Sequence, residues 1–192
     1  MEFAISPEDQ KKLLNYARLT IHASLKGERE IDPPHLSTSL RCGAFVTLKK
    51  NGSLRGCIGR IQGDANLPST IKQMALAAAF EDPRFPPLHE EELPLIEIEI
   101  TLLSPLYPIS PEEIVIGKHG LLIYANGRSG ILLPQVPIEF GWDKETFLEQ
   151  LCWKAGLPSN IWKSPLARLY GFEGFVFSES ELKEASSSDT CP

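Results

Sequence analysis

The sequence predicts an α+β protein in which helices pack on antiparallel or mixed sheets. Two Asn-Gly dipeptides, Asn51-Gly52 and Asn126-Gly127, are each flanked by short apolar segments, which is typical of β-hairpins. Each predicted hairpin is followed by one helical pattern and then by one further strand. The chain therefore runs hairpin, helix, strand twice, and this order indicates a duplicated ββαβ unit.

The first element is a helix that begins after Ser6 and ends at Gly27. Ser6 is a favourable N-cap and Pro7 suits the first helical position, while Gly27 is a favourable terminator. The segment that follows has no apolar period, and Pro33-Pro34 holds it extended. We expect this segment to cross the surface towards the first hairpin.

The first hairpin is predicted from Cys42 to about Ile61, with a two-residue turn at the first Asn-Gly. That turn sets a register in which Val46 faces Cys57 and Leu48 faces Arg55. Strand alternation then places the Arg55 and Cys57 side chains on one face of the sheet.

A helix is predicted over Asn66–Glu81, and the prolines that follow it forbid its continuation. In the strand Leu95–Leu103, isoleucine or leucine alternates with Glu97, Glu99 and Thr101, so we expect the aliphatic face to be buried and these three residues to face outward. In the second half a hairpin spans Gly120–Leu133, with a turn through residues 126–129. Asp143 then caps a helix, and Arg168–Phe177 is the last strand.

These elements define one domain over residues 1–178. Residues 179–192 are polar and serine-rich without periodicity, so we expect a disordered tail.

Composition narrows the class of function. The 192-residue chain carries a formal net charge of −6, which disfavours nonspecific binding to nucleic acid or to anionic membranes. No segment is apolar enough for a signal peptide or a membrane span, so we expect a cytoplasmic protein. The four cysteines form no CxxC pair, which disfavours disulfides and structural zinc, and we expect neither metal nor cofactor.

The strongest candidate site is residues 54–59 (LRGCIG). A cation lowers a thiol pKa, so Arg55 on the same face could activate Cys57 as a nucleophile. Gly56 and Gly59 leave backbone free for the approach of a ligand. The alternatives are a buried structural thiol and an Arg55 salt bridge to Asp82, Glu97 or Glu99.

Four further residues are candidates for substrate binding. Asp82 and Arg84 are held by prolines at a helix end, and a role in the site requires this corner to meet the first hairpin. His119 precedes the second hairpin and is the best-placed base if the two hairpins face each other, whereas Gln135 could donate to an oxyanion or bind a partner. The alternatives are helix termination with a local ion pair, a structural histidine, and an amide that satisfies loop backbone.

The LRGCIG stretch resembles the family named after the Alport syndrome, mental retardation, midface hypoplasia and elliptocytosis chromosomal region protein. Prokaryotic members are called AmmeMemoRadiSam system protein A. The resemblance extends over roughly residues 8–178 through four further motifs: GAFVTL at 43–48, AAFEDPRF at 78–85, GILLPQV at 130–136 and CWKAGLP at 152–158.

The resemblance implies an α+β fold of a larger and a smaller subdomain, with the LRGCIG motif near a cleft between them. It also implies, by gene neighbourhood, a connection with a Memo-like protein and a radical SAM enzyme. It implies no particular reaction.

Two functional hypotheses follow. The first is an enzyme, or an enzyme component, that holds a small anionic substrate between Arg55 and Cys57. The second is a non-catalytic binding or scaffold module that docks on a protein partner through the same strand and through Asp82 and Arg84.

Overall fold

A computed structural model describes residues 4–63 and 65–182 of the chain. The chain divides into two compact units: the first comprises the residues up to Leu103 and those from Phe175 onward, and the second is Ser104–Gly174. Each unit combines helices with antiparallel strands, so the predicted α+β class is confirmed.

The first unit contains helices α1 (Pro7–Lys26) and α2 (Leu67–Phe80) and strands β1 (Gly43–Lys50), β2 (Ser53–Arg60) and β3 (Ile96–Leu103). Both helix starts follow from their caps, because the Ser6 and Asn66 side chains accept hydrogen bonds from the backbone N–H groups three residues on. A 3₁₀-helix, Glu90–Leu95, leads into β3.

The sheet of the first unit has β1 at its centre. β1 pairs antiparallel with β2 on one side and with β3 on the other, and β2 is the edge strand of the described sheet. β2 and β3 therefore run parallel, and α2 is the crossover between them. Aliphatic side chains of both helices and of β1 and β3 fill the core, among them Ile21, Leu48, Ile71, Ile98 and Ile100.

The second unit contains β4 (Tyr107–Pro108), β5 (His119–Ala125), β6 (Arg128–Leu132), α3 (Val136–Glu139) and α4 (Lys144–Lys154), and β7 (Arg168–Ser178) passes from it into the first unit. β5 pairs antiparallel with β6 and with β7. This arrangement repeats the order of the first unit, since the first strand of each hairpin is again central and α4 again follows the hairpin. The predicted ββαβ repetition is therefore confirmed at the level of strand pairing.

Two predicted details are corrected. The second turn contains only Asn126 and Gly127, both with positive φ angles, so that Arg128 and Ser129 belong to β6. Thr101, predicted to face outward, is 3% exposed.

None of the helices in the described part of the chain is long and apolar enough to cross a membrane.

The chain remains ordered beyond the predicted end of the domain. Residues 179–182 form a helical turn in which Glu179 accepts two hydrogen bonds from the Arg18 guanidinium, both at 2.6 Å. A Glu179 oxygen also accepts from the Ile98 N–H at 2.9 Å. These charge-assisted bonds order the turn, so the tail does not begin at residue 179. The remainder of the predicted tail, residues 183–192, lies outside the described residues.

Candidate functional site

A β-bulge in β2 changes the predicted register of the first hairpin. Next to the turn Lys49 pairs with Leu54, as the two-residue turn requires, but Leu48 pairs with Gly56. Arg55 is therefore the extra residue of the bulge. The predicted pairs of Val46 with Cys57 and of Leu48 with Arg55 are wrong by one residue, and Cys57 instead faces Thr47.

The bulge also separates the two side chains that were predicted to share a face. Arg55 binds Glu92 together with Lys50, which lies on the same face of β1 as the buried Leu48. The Cys57 sulfur instead lies 3.2 Å from the hydroxyl of Thr47, on the opposite face. Arg55 consequently does not provide the charge beside the thiol.

Arg55 is held almost completely inside the first unit. It is 9% exposed, and its Nε and Nη2 atoms donate to the two carboxylate oxygens of Glu92 at 3.1 and 2.9 Å. Glu92 also accepts from the Lys50 ammonium at 2.9 Å and from the His89 N–H at 3.2 Å. The hydrogen bonds from Arg55 are the main cause that lowers the pKa of Glu92 to about 2, and the bonds from Lys50 and from the His89 N–H act in the same direction.

Glu92 was not predicted to be the partner of Arg55. It belongs to the acidic run Glu90–Glu92, and such runs usually form a solvated face. The predicted salt-bridge partners of Arg55, namely Asp82, Glu97 and Glu99, are therefore wrong. The 3₁₀-helix places one member of the run inward, and no residue pattern in a run of three glutamates identifies which one.

The corner after α2 does meet the first hairpin, as a role in the site requires. The Asp82 carboxylate accepts from the Cys57 N–H at 2.8 Å, and Arg84 Nη2 donates to the Cys57 carbonyl oxygen at 3.2 Å. The two side chains thus bind both backbone groups of one residue in the edge strand. We call Cys57, Asp82, Arg84 and Phe85 the β2 corner.

The charges of the β2 corner are tightly coupled. Arg84 donates from Nε and Nη2 to the two oxygens of Asp82, at 2.9 and 2.7 Å. These bonds outweigh burial and hold the pKa of Asp82, which is 4% exposed, well below its usual range. The Arg84 side chain remains 54% exposed. The Phe85 ring lies 5.6 Å from the Arg84 guanidinium carbon and 5.9 Å from that of Arg55.

The Cys57 thiol is half-buried and is not activated. Burial raises its pKa, and this effect outweighs the hydrogen bond with Thr47 and the positive charge of Arg84, which both lower it. At neutral pH the sulfur is therefore a thiol and a weak nucleophile. Among the described residues, no group of three His, Cys, Asp or Glu side chains could hold a metal ion.

The two candidate glycines of the motif are required by packing. A Cβ atom on Gly56 would lie 2.2 Å from the Ala78 carbonyl oxygen of α2. A Cβ atom on Gly59 would lie 2.2 Å from the Phe45 ring. The space that was predicted for a ligand at these positions is occupied by the protein itself.

His119 and Gln135 belong to the second unit, where each has a local structural role. His119 is 7% exposed, its Nδ1 accepts from the Val115 N–H at 3.2 Å, and its ring packs edge-on against Tyr107. Burial is the main cause that lowers the pKa of His119. The Gln135 carbonyl oxygen accepts the first backbone hydrogen bonds of α3, and its amide makes no cap bond. The role of either side chain in a site stays a prediction.

Comparison with known proteins places these features in a family. The AMMECR1 family model matches residues 14–177. A protein of Nanoarchaeum equitans is 44% identical over 177 residues, which cover 87% of this chain and 98% of that protein. A protein of Aquifex aeolicus is 40% identical over 183 residues, which cover 90% of this chain and 94% of that protein.

A solved structure has the same fold. The crystal structure of uncharacterized protein PH0010 from Pyrococcus horikoshii superposes with a TM-score of 0.82 at 37% sequence identity. The match covers 91% of this chain and 93% of that chain. The α+β architecture is thus shared along nearly the whole length of both proteins.

Proposed function

The chain belongs to the AMMECR1 family, and we propose that it is a non-catalytic binding module whose β2 corner docks on a protein partner. The observation that carries this proposal is the rigid presentation of a half-exposed arginine. Asp82 and the Cys57 carbonyl oxygen fix the Arg84 guanidinium through Nε and Nη2. The N–H groups of Nη1 make no hydrogen bond with any described residue and can therefore serve a partner.

A fixed arginine beside an aromatic ring suits recognition of a protein. Arginine and aromatic residues are enriched in the residues that dominate interface energies, and an ordered side chain loses less entropy on binding. The free N–H groups of Arg84 would bind a carboxylate or a backbone carbonyl oxygen of the partner, while Phe85 supplies apolar area. We therefore expect the partner to present an acidic segment to the β2 corner.

The resemblance identified from the sequence implies two candidate partners, a Memo-like protein and a radical SAM enzyme. Their connection with this chain is a proposal. Each purified candidate can be tested for binding by isothermal titration calorimetry against the full chain.

The variants that test the β2 corner are Arg84→Ala and Arg84→Lys, with Arg168→Ala, at an exposed position of β7, as the matched control. We expect Arg84→Ala to weaken binding at least about tenfold, whereas the control binds as the parent does. Arg84→Lys keeps a cation beside Asp82 but loses the planar fork, so it should also bind more weakly. Unchanged affinity of both folded Arg84 variants for a partner that binds the parent would overturn the proposal.

A second candidate function is an enzyme, or an enzyme component, that holds a small anion beside Cys57. One observation favours it, because Arg84 lies close enough to the half-buried thiol to lower its pKa against the effect of burial. Alkylation of Cys57 by iodoacetamide, measured by mass spectrometry against pH, separates the two functions. Rapid alkylation at pH 7 would support the enzyme, whereas alkylation that appears only at alkaline pH supports the binding module. If the chain is a binding module, the Cys57→Ser variant should still bind the partner.

A further inference from the structure

A cavity of about 500 Å³ lies between α1, the segment after it and the beginning of α2. Tyr16 lines it from α1, residues 29–33 from the segment, and Asn66, Ser69 and Lys72 from α2. The cavity contains no residue of the β2 corner. Its volume is within the range typical of sites for small molecules.

Tyr16 is the first reason to expect a ligand in this cavity. The residue as a whole is 4% exposed and its hydroxyl has no hydrogen bond to any residue that the structure describes, but the hydroxyl oxygen is not among the described side-chain atoms that are buried without a partner, which are Thr20 Oγ1 and Trp162 Nε1. The hydroxyl therefore reaches the cavity, where water or a ligand can accept its hydrogen bond. The hydroxyl is within electrostatic range of Lys72, Glu30 and Asp32, which all line the cavity. Burial raises the pKa of Tyr16, so the hydroxyl keeps the proton that it can donate.

The charges of the cavity are the second reason, and they indicate the class of ligand. Lys72 pairs with Glu30 at 2.7 Å, and Arg29 and Asp32 add one further charge of each sign. A ligand with only a negative charge would meet two carboxylates, and a ligand with only a positive charge would meet two cations. A zwitterion whose opposite charges are close together satisfies both kinds of group.

The ion pair within the cavity can open at small cost. The side chain of Glu30 is 81% exposed and that of Lys72 is 26% exposed. Exposed pairs of this kind contribute little to stability. A ligand carboxylate can therefore take the place of Glu30 beside Lys72, and a ligand ammonium group can take the place of Lys72 beside Glu30. Because Lys72 and Glu30 are in direct contact at 2.7 Å, a ligand that binds both groups must first separate them.

We propose that this cavity binds a free amino acid. Tyr16 and Lys72 bind the carboxylate of the ligand, and Glu30 and Asp32 bind its ammonium group. The proposal is independent of the function proposed for the β2 corner, since the two sites share no residue.

A neighbouring cavity of about 600 Å³ would receive the side chain of the ligand. The two cavities share Pro33 and Asn66, and the second is lined by Leu36, Leu40 and Leu67 together with several hydroxyl groups. Its wall is fixed in place, because the buried carboxylate of Asp9 accepts from the Ser37 N–H at 3.1 Å and from the Ser37 hydroxyl at 2.6 Å. We therefore expect leucine or methionine to bind more tightly than glycine.

The test is ligand-observed NMR and calorimetry of the full chain with the twenty free L-amino acids. Acetate and methylammonium serve as probes that carry only one of the two charges. We expect at least one amino acid with an apolar side chain to bind, and each single-charge probe to bind at least about tenfold more weakly. Absence of binding by every amino acid, or equal binding of acetate, would overturn the proposal.

Two variants locate the site. Tyr16→Phe removes only the hydroxyl and should weaken binding about tenfold, whereas Tyr124→Phe, at an exposed position of the second unit, should bind as the parent does. Lys72→Met should also weaken binding, with Lys12→Met as its control. If both the Tyr16 and the Lys72 variants fold and bind the amino acid with the affinity of the parent, the assignment to this cavity is wrong.

Discussion

Replacing Glu92 by Gln removes the negative charge that holds Arg55 and Lys50 but keeps the size of the side chain. The guanidinium of Arg55 is then left inside the first unit without a carboxylate. The side chain of Glu92 is only 17% exposed, so solvent screens its interactions little. We expect a large loss of stability from this single change.

The magnitude follows from two independent routes. The fall of the pKa of Glu92 from 4.5 to about 2 corresponds to a contribution of about 3 kcal/mol at neutral pH. Removing one partner of a buried ion pair costs about 3–5 kcal/mol, and the Gln carbonyl oxygen recovers part of this. We therefore expect a loss of about 3 kcal/mol, and a decrease of the midpoint of thermal unfolding by about 6–12 °C.

The effect should depend on pH in a defined direction. Because the pKa of Glu92 is lower in the folded protein, its contribution is complete above about pH 4.5, the pKa in the unfolded chain. The contribution decreases as the pH falls towards about 2, where the folded protein also binds the proton. The difference in unfolding free energy between parent and variant should shrink over the same interval.

Urea denaturation followed by circular dichroism from pH 3 to pH 8 measures this difference. Glu91→Gln is the matched control, because Glu91 is its exposed neighbour in the same 3₁₀-helix. Unfolding free energies of the two variants within about 0.5 kcal/mol of each other at pH 7 would refute a stabilising role of the Glu92 charge. A difference that is constant down to pH 3 would refute the assignment of the effect to the carboxylate.

Asp82→Asn should lower the free energy of unfolding by about 2 kcal/mol in urea denaturation at pH 7, because it weakens the bonds to Arg84 and to β2. Asp143→Asn is the control and should change this free energy very little, because Asn is an equally good helix N-cap. Gly56→Ala and Gly59→Ala should each lower the thermal midpoint, but for different reasons. The added methyl of Gly59→Ala meets the Phe45 ring, so Phe45→Ala should relieve it, whereas that of Gly56→Ala meets a helix carbonyl oxygen that no side-chain truncation removes. If Phe45→Ala restored the thermal midpoint of both glycine variants, this distinction would be contradicted.

Much of the fold could be predicted because its determinants are local. Asn51 and Asn126 each adopt positive φ ahead of a glycine, so each dipeptide specifies its turn without help from the rest of the chain. Ser6, Asn66 and Asp143 each cap a helix through a residue only three positions away. Such signals depend on a few neighbouring residues, which a sequence displays directly.

The candidate site could be predicted only in part, because its geometry depends on distant residues. Counting from the turn gives the correct register as far as Leu54, but the bulge at Arg55 is stabilised by Glu92, which lies 37 positions away. One extra residue reverses the faces of all that follow, and so Cys57 lies beside Thr47 instead of Val46. The contact of Asp82 with Cys57 likewise joins residues whose proximity no local pattern indicates.

The path of β7 determines the order in which the protein can be completed during synthesis on the ribosome. Residues up to Leu103 form most of the first unit, but Phe177, which is 2% exposed in its core, and Glu179, which binds Arg18, come from the segment that follows the second unit. A nascent chain that has emerged only as far as the second unit therefore lacks one strand of its first sheet and the counter-ion of a half-buried arginine. The emergence of residues 175–179, and not the synthesis of the first hundred residues, is the point at which the first unit can reach its full stability.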